Sequence, residues 1–202
     1  MLYSRSKNFV FIHIPKTAGT SIRSAINSYK DSYNKRGVLG KFARRLGMPQ
    51  FFAPNEHISA FEAKKLLGDE VWDNAYTFAV VRNPWDLEAS MYAYMIKSED
   101  KLISKMKSFD EYIVWRCEAK LRTQSQFLKG DSGDSLIVKD IYRFESLDSD
   151  IQRLGSYIGC NIRLQVLNQS RSDSYQKYYS DKSRDMVSRF SKEDIDRFGY
   201  EF

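Results

Sequence analysis

"NFVFIHI" (residues 8–14) is almost unbroken in apolar character, the pattern of a strand buried on both faces. A few residues later "SIRSAINSY" (21–29) sets Ile22, Ala25, Ile26 and Tyr29 at i, i+3, i+4 and i+7, which predicts a helix. A strand, a turn and a helix therefore meet across Lys16–Ser21. The succession recurs further on. "AYTFAVV" (75–81) reads as a second buried strand, followed by Asn83 as N-cap and Pro84 at the first helical position, with Leu87, Met91, Tyr94 and Met95 marking the inward face of the helix. Between these units Ser59 and Glu62 form a capping-box pattern, Gly68 ends the short helix it opens, and His57 falls in the loop just upstream.

Ser108 with Glu111 opens another helix, running through Trp115 and Arg116 toward "TQSQFL" (123–128). "SLIVKDIYRF" (135–144) supplies one or two further strands, and Ser146–Ile158 is helical with Gly159 as its stop. Two short helices close the chain, the last capped by Ser191 and Asp194 and ended by Gly199. Strands alternating with helices imply an α/β fold: a single domain over 1–202 whose central parallel sheet is flanked by helices. Ligands then belong at the carboxyl ends of the strands, where Lys16 and Arg82 sit. The stretch from Lys30 to Gln50 carries Lys30, Lys35, Arg36, Lys41, Arg44 and Arg45 without a clear period and reads as a basic surface insertion. There is no internal repeat, low-complexity tract or interdomain linker.

Composition narrows the function classes. The 202 residues are 42% apolar and 14% aromatic, enough for a sizeable core and unlike a disordered chain. Lys plus Arg exceed Asp plus Glu by 32 − 26 = 6, and the pI is near 9.2, which favours anionic partners: nucleotide phosphates, acidic glycans, nucleic acid or a membrane surface. Cys117 and Cys160 make neither a disulfide framework nor a CxxC metal site, and they read as free thiols. "MLYSRSKNF" lacks the apolar run of a signal peptide and no window approaches the roughly 18 apolar residues of a membrane span, so a soluble, cytoplasmic protein is expected. Asn168-Gln169-Ser170 matches the glycosylation sequon and, in that compartment, reads as idle.

The turn Pro15-Lys16-Thr17-Ala18-Gly19-Thr20-Ser21 has the makings of a phosphate cradle. Small residues let backbone N–H groups approach an anion, the helix N-terminus adds its positive dipole end, and the hydroxyls of Thr17, Thr20 and Ser21 add donors. It does not match G-x-x-x-x-G-K-[ST], because the lysine precedes the small residues. Nor does the second strand end in an aspartate that could hold magnesium; it ends in Arg82, a group that repels a metal and grips a phosphate, with a strand-end ion pair as the other reading. Ser90, about two turns into the following helix, can offer a hydroxyl from the same side. Two anion sites with no metal between them suit a nucleotide bearing phosphate at both its 5′ and 3′ ends.

With these residues in view, "FIHIPKTAGTS" together with "FAVVRNPWDLEASMYAY" closely resembles the carbohydrate sulfotransferase superfamily that uses 3′-phosphoadenosine-5′-phosphosulfate (PAPS), and is similar to its bacterial members related to heparan and chondroitin sulfotransferases. The likeness continues through "TQSQFL", "YRFESL", "LNQS" and "DIDRFGYEF", so it spans nearly the whole chain, although these later stretches carry no assigned chemistry. The resemblance implies a P-loop nucleotide-kinase-like sulfotransferase fold, with Lys16, Thr17, Ala18, Gly19, Thr20 and Ser21 on the 5′-phosphosulfate and Arg82 and Ser90 on the 3′-phosphate. It implies 3′,5′-adenosine bisphosphate (PAP) as product and requires no metal. Leu87 departs from the pattern, since many relatives carry a basic residue there.

In such a transfer negative charge grows on the bridging oxygen of the departing nucleotide, and Lys16 is the group to stabilise it; by analogy with other preorganised charge stabilisers its removal costs at least about 10²-fold in rate. An acceptor hydroxyl must also lose a proton, and a histidine, with an unperturbed pKa near 6.5, fits that task. His13 lies inside the first strand and reads as a buried, hydrogen-bonded structural residue. His57 lies in the loop before the capped helix, where the resemblance places the family's catalytic histidine, and is the candidate base, with Glu56 in reserve. Trp85, Tyr92 and Tyr94 read as core rather than as an adenine platform. Arg143 and Glu145 can form an ion pair, and Asn168, Ser170 and Arg171 can complete the nucleotide site. Two other readings stay open: a P-loop kinase of small metabolites, and a non-enzymatic anion-binding module that uses the basic surface. The expected partner is a carbohydrate or another hydroxyl-bearing acceptor rather than nucleic acid, for which no recognisable motif is present.

Overall fold

The computed structural model describes residues 1–29, 57–131, 133–163 and 174–202. Four strands, β1 (Leu2–Ser4), β2 (Phe9–Ile12), β3 (Tyr76–Val81) and β4 (Asp140–Arg143), form one open sheet in the order β1-β2-β3-β4. Strands β2, β3 and β4 run parallel, with Ile12 beside Ala79 and Val81 beside Arg143. Strand β1 is an antiparallel addition, Leu2 facing Phe11 and Ser4 facing Phe9. It has no counterpart in the apolar pattern, because three residues give too little alternation to read. "SLIVKDIYRF" yields a single strand, and Leu136 contributes one isolated bridge to Lys129.

Side chains alternate across the sheet and divide the core in two. Val10, Ile12, Ala79 and Val81 point to one face, where they meet α2 (Ala60–Leu67), α3 (Asp69–Asn74), α4 (Pro84–Lys97), α5 (Phe109–Glu118), α6 (Gln124–Leu128) and α8 (Asp181–Phe190) through residues such as Ala63, Trp72, Trp85, Ile113, Leu128 and Val187. Phe9, Phe11, Phe78 and Val80 point to the other face and pack on Ile22 and Ile26 of α1 (Gly19–Ile26) and on Ile151, Leu154 and Ile158 of α7 (Leu147–Ile158). The Phe11 and Phe78 rings stack with centroids 5.0 Å apart. Each such fully buried ring contributes roughly 1.5–3 kcal/mol relative to exposure. The result is an α/β domain built on a four-strand, mostly parallel open sheet with flanking helices. Among the described residues no helix is long and apolar enough to cross a membrane.

Several helix ends follow their local chemistry. Ser59 and Glu62 make the reciprocal capping box and Gly68 ends α2. Asn83 Oδ1 accepts from the Trp85 and Asp86 N–H groups, with Pro84 in the first turn. Ser108 caps α5, and Gly159 and Gly199 close α7 and α9 (Lys192–Phe198) in left-handed conformations. At the start of α9 the expectation fails. Ser191 makes no side-chain cap bond, and Asp194 instead accepts from the Gln124 and Ser125 N–H groups at 2.9 and 2.7 Å, capping α6 across the interface. Both cysteines are free.

Candidate active site

Beyond Ile12 the β2 chain turns sharply into α1. Lys16 and Ala18 both take positive φ, 64° and 61°, a left-handed conformation that side chains with a Cβ adopt at a cost. Ala18 is the N-cap of α1 and has no side chain to accept from the first-turn N–H groups, which keeps that helix end suited to an anion. Thr17 departs from its expected part in the cradle: it is fully buried and its hydroxyl donates to the Ile14 carbonyl at 2.9 Å, bracing the turn from within. Thr20, by contrast, is exposed and Ser21 half-buried.

Gly19 opens α1 for a reason unconnected with φ. A Cβ there would lie 1.8 Å from both Cδ2 and Nε2 of His13, so the imidazole fills the space a side chain would need. His13 is buried, stacks on Phe11 with centroids 5.8 Å apart, and is held neutral, its pKa driven down to about 3 first by burial and then by the charges of His57, Arg23 and the N-terminus. The expected hydrogen bonding is incomplete, since His13 Nδ1 has no partner among the described residues.

His57 reaches this point from the loop before α2. Its Nδ1 lies 3.0 Å from the His13 carbonyl oxygen, and the two rings are 4.5 Å apart, so a hydrogen bond joins positions 44 apart in sequence. A carbonyl only accepts, so Nδ1 is the donor in this bond and carries its proton. Glu56, the reserve base, lies outside the described residues.

Arg82 follows the last residue of β3 and is fixed on several sides. Its Nη1 donates to the Lys16 carbonyl at 2.9 Å, its Nε bonds Asp86 at 2.7 Å, and its guanidinium lies 4.0 Å from the centre of the Phe144 ring. Among the described residues these contacts engage Nε and Nη1, two of the nitrogens of its fork, and the strand-end ion pair is present. The two predicted cations thus share one place at adjacent strand ends. Burial, and then the Arg82 charge, lower the pKa of Lys16. The parallel strands β3 and β4 both lead into arginines, Arg82 and Arg143, and the Asp86 carboxylate is already engaged by Arg82.

No protein-family model, curated protein or solved structure matches the chain.

The remaining predicted residues divide. Ser90 lies in α4 at 1% exposure, enclosed rather than offered at the surface. Trp85 is buried and Tyr92 packs against Phe109 and Tyr112. Tyr94, expected in the core, is 49% exposed, and Lys16 Nζ sits 4.3 Å from its ring centre, a cation–π contact the helical period did not foretell. Glu145 accepts from the Asn83 N–H and the Tyr200 hydroxyl, while Arg143 lies over the Tyr200 ring, so the two expected ion-pair partners meet through a tyrosine. Asn168, Ser170, Arg171 and the basic segment from Lys30 to Arg45 lie outside the described residues.

Proposed function

We propose that this protein is a PAPS-dependent sulfotransferase of the P-loop nucleotide-kinase-like fold, acting on a hydroxyl, most simply of a carbohydrate. The observation that carries the reading is the bond from Arg82 Nη1 to the Lys16 carbonyl at 2.9 Å, which joins two cationic strand ends and the uncapped start of α1 in one anion-accepting corner. A donor with phosphate on two positions of one ribose suits such a corner. Bound there, it supplies a sulfuryl group whose bond to the bridging oxygen breaks as a bond to the acceptor oxygen forms, and PAP leaves with the electron pair.

The side chains divide the work. Lys16, desolvated and over a turn strained at two positions, neutralises charge at the bridging oxygen. The N–H groups of Thr17 to Ser21 line the 5′ end. The edge of the Arg82 guanidinium not engaged by Asp86 and the Lys16 carbonyl takes the 3′-phosphate. His57, its Nδ1–H tied to the His13 carbonyl, receives the acceptor proton on Nε2. Asp86, neutralised by Arg82, is poorly suited to bind a divalent ion, which argues against the kinase reading on the chemistry of the residues themselves.

Calorimetry with EDTA present tests this. 3′,5′-Adenosine bisphosphate is expected to bind far more tightly than AMP, and Arg82→Ala to abolish the difference. Equal binding of the two nucleotides by the unaltered protein overturns the assignment.

A further inference from the structure

We infer that Gln124 is a positioning residue for Arg82, an inference that rests on reading Arg82 as the 3′-phosphate contact. Strand β3 ends at Val81, and the next residue has left the ladder. Its backbone is nonetheless fully paired: the Arg82 N–H donates to Gln124 Oε1 at 2.8 Å, and Gln124 Nε2 donates to the Arg82 carbonyl at 2.7 Å. One side-chain amide supplies both bonds, as a strand partner would. Its orientation is forced, because an N–H must face the amide oxygen and a carbonyl must face the amide nitrogen.

The amide is itself immobilised. Gln124 is the first residue of α6, it is 1% exposed, and its own N–H, with that of Ser125, is held by the two carboxylate oxygens of Asp194. The residue after Arg82, the N-cap of α4, is gripped in the same way. The Asn83 N–H donates to Glu145 Oε1 at 2.6 Å, Glu145 Oε2 accepts from the Tyr200 hydroxyl at 3.1 Å, and Asn83 Nδ2 donates to the Glu201 carbonyl at 2.7 Å. The stretches "TQSQFL", "YRFESL" and "DIDRFGYEF", which carried no chemistry in the sequence, therefore converge on the backbone of Arg82 and Asn83. Their common effect is to fix where the guanidinium starts. A fork that must meet a phosphate loses affinity when its origin can wander by a fraction of an ångström.

The test compares 3′,5′-adenosine bisphosphate with AMP by calorimetry in EDTA, for the unaltered protein, Gln124→Ala, Gln124→Glu and Tyr200→Phe. Gln124→Glu keeps the acceptor for the Arg82 N–H and loses the donor to its carbonyl. Tyr200→Phe removes only the hydroxyl that steadies Glu145. Both Gln124 variants are expected to weaken the bisphosphate about tenfold while changing AMP less than about twofold, and Tyr200→Phe to move the same ratio about two- to threefold. Loss of folded protein lowers the binding stoichiometry and leaves the ratio alone, so a structural role does not imitate the result. If the unaltered protein discriminates between the nucleotides and the variants keep its ratio, the positioning role is overturned and the site reading stands. If the unaltered protein does not discriminate, the site reading falls, and with it this inference.

Discussion

At the scale of single residues, the turn is shaped by two fits that pull on each other. His13 occupies the place of a Gly19 side chain, with a hypothetical Cβ only 1.8 Å away, far inside contact distance. Gly19→Ala should therefore displace the imidazole or the start of α1 and cost about 1–3 kcal/mol, the usual range for overpacking. Combining it with His13→Ala, which vacates the space, should recover most of that loss. Urea unfolding of the two single variants and the double variant gives the coupling, and additive effects would refute the fit. Lys16 gives a second expectation. Burial and the neighbouring guanidinium favour its neutral amine, so the pH at which it becomes half-reactive toward acetic anhydride should lie below that of the exposed lysines. Mass spectrometry of pulse-labelled protein reads that midpoint, and a value equal to the surface lysines would remove the desolvated ammonium from the site.

Elements differ in how far local pattern reveals them. The two strand-to-helix handovers were legible because each buried strand and the helix after it are written within a few residues of one another, as is the Asn83 cap at the start of α4; the Ser59–Glu62 box that opens α2 is equally local. The placing of Lys16 and Arg82 at neighbouring strand ends followed from the parallel connection alone. What stayed hidden was longer in range. Gln124 pairs with Arg82 across 42 residues and Asp194 with Gln124 across 70, and no periodicity relates such positions. Asp194 misled the reading for a definite reason: a serine three residues before an acid is the local cap pattern, but the carboxylate found two better donors on another helix. Tyr94 failed for a different one. Helical spacing assigns a face, yet the far end of α4 runs past the core it covers, and the ring meets the Lys16 ammonium instead.

Across the whole molecule, two of the described groups, His13 and Glu62, should respond to acid in separable windows. His13 is buried neutral with its pKa lowered from 6.5 to about 3, so below pH 6.5 the unfolded chain takes up a proton that the folded protein refuses until about pH 3. Stability is then lost as pH falls across that interval, by up to about 1.4 kcal/mol per pH unit. Glu62 behaves alike at lower pH. Its carboxylate accepts from both terminal nitrogens of Arg122, and that pairing, aided by Ser59 and opposed by desolvation, lowers its pKa from 4.5 to about 2. Its contribution is present above pH 4.5 and is lost as pH falls toward 2, and solvent screening keeps it small because the pair is nearly half exposed. Between pH 6.5 and 5 the slope therefore belongs to the interior of the β2–α1 junction rather than to the surface. Chemical unfolding at stepped pH should show His13→Gln flattening that upper interval while leaving the descent below pH 4.5 in place, and Glu62→Gln doing the reverse. Parallel losses by His13→Gln and the unaltered protein between pH 6.5 and 5 would mean that the imidazole takes its proton inside the fold, and the tight seat against Gly19 would have to be abandoned.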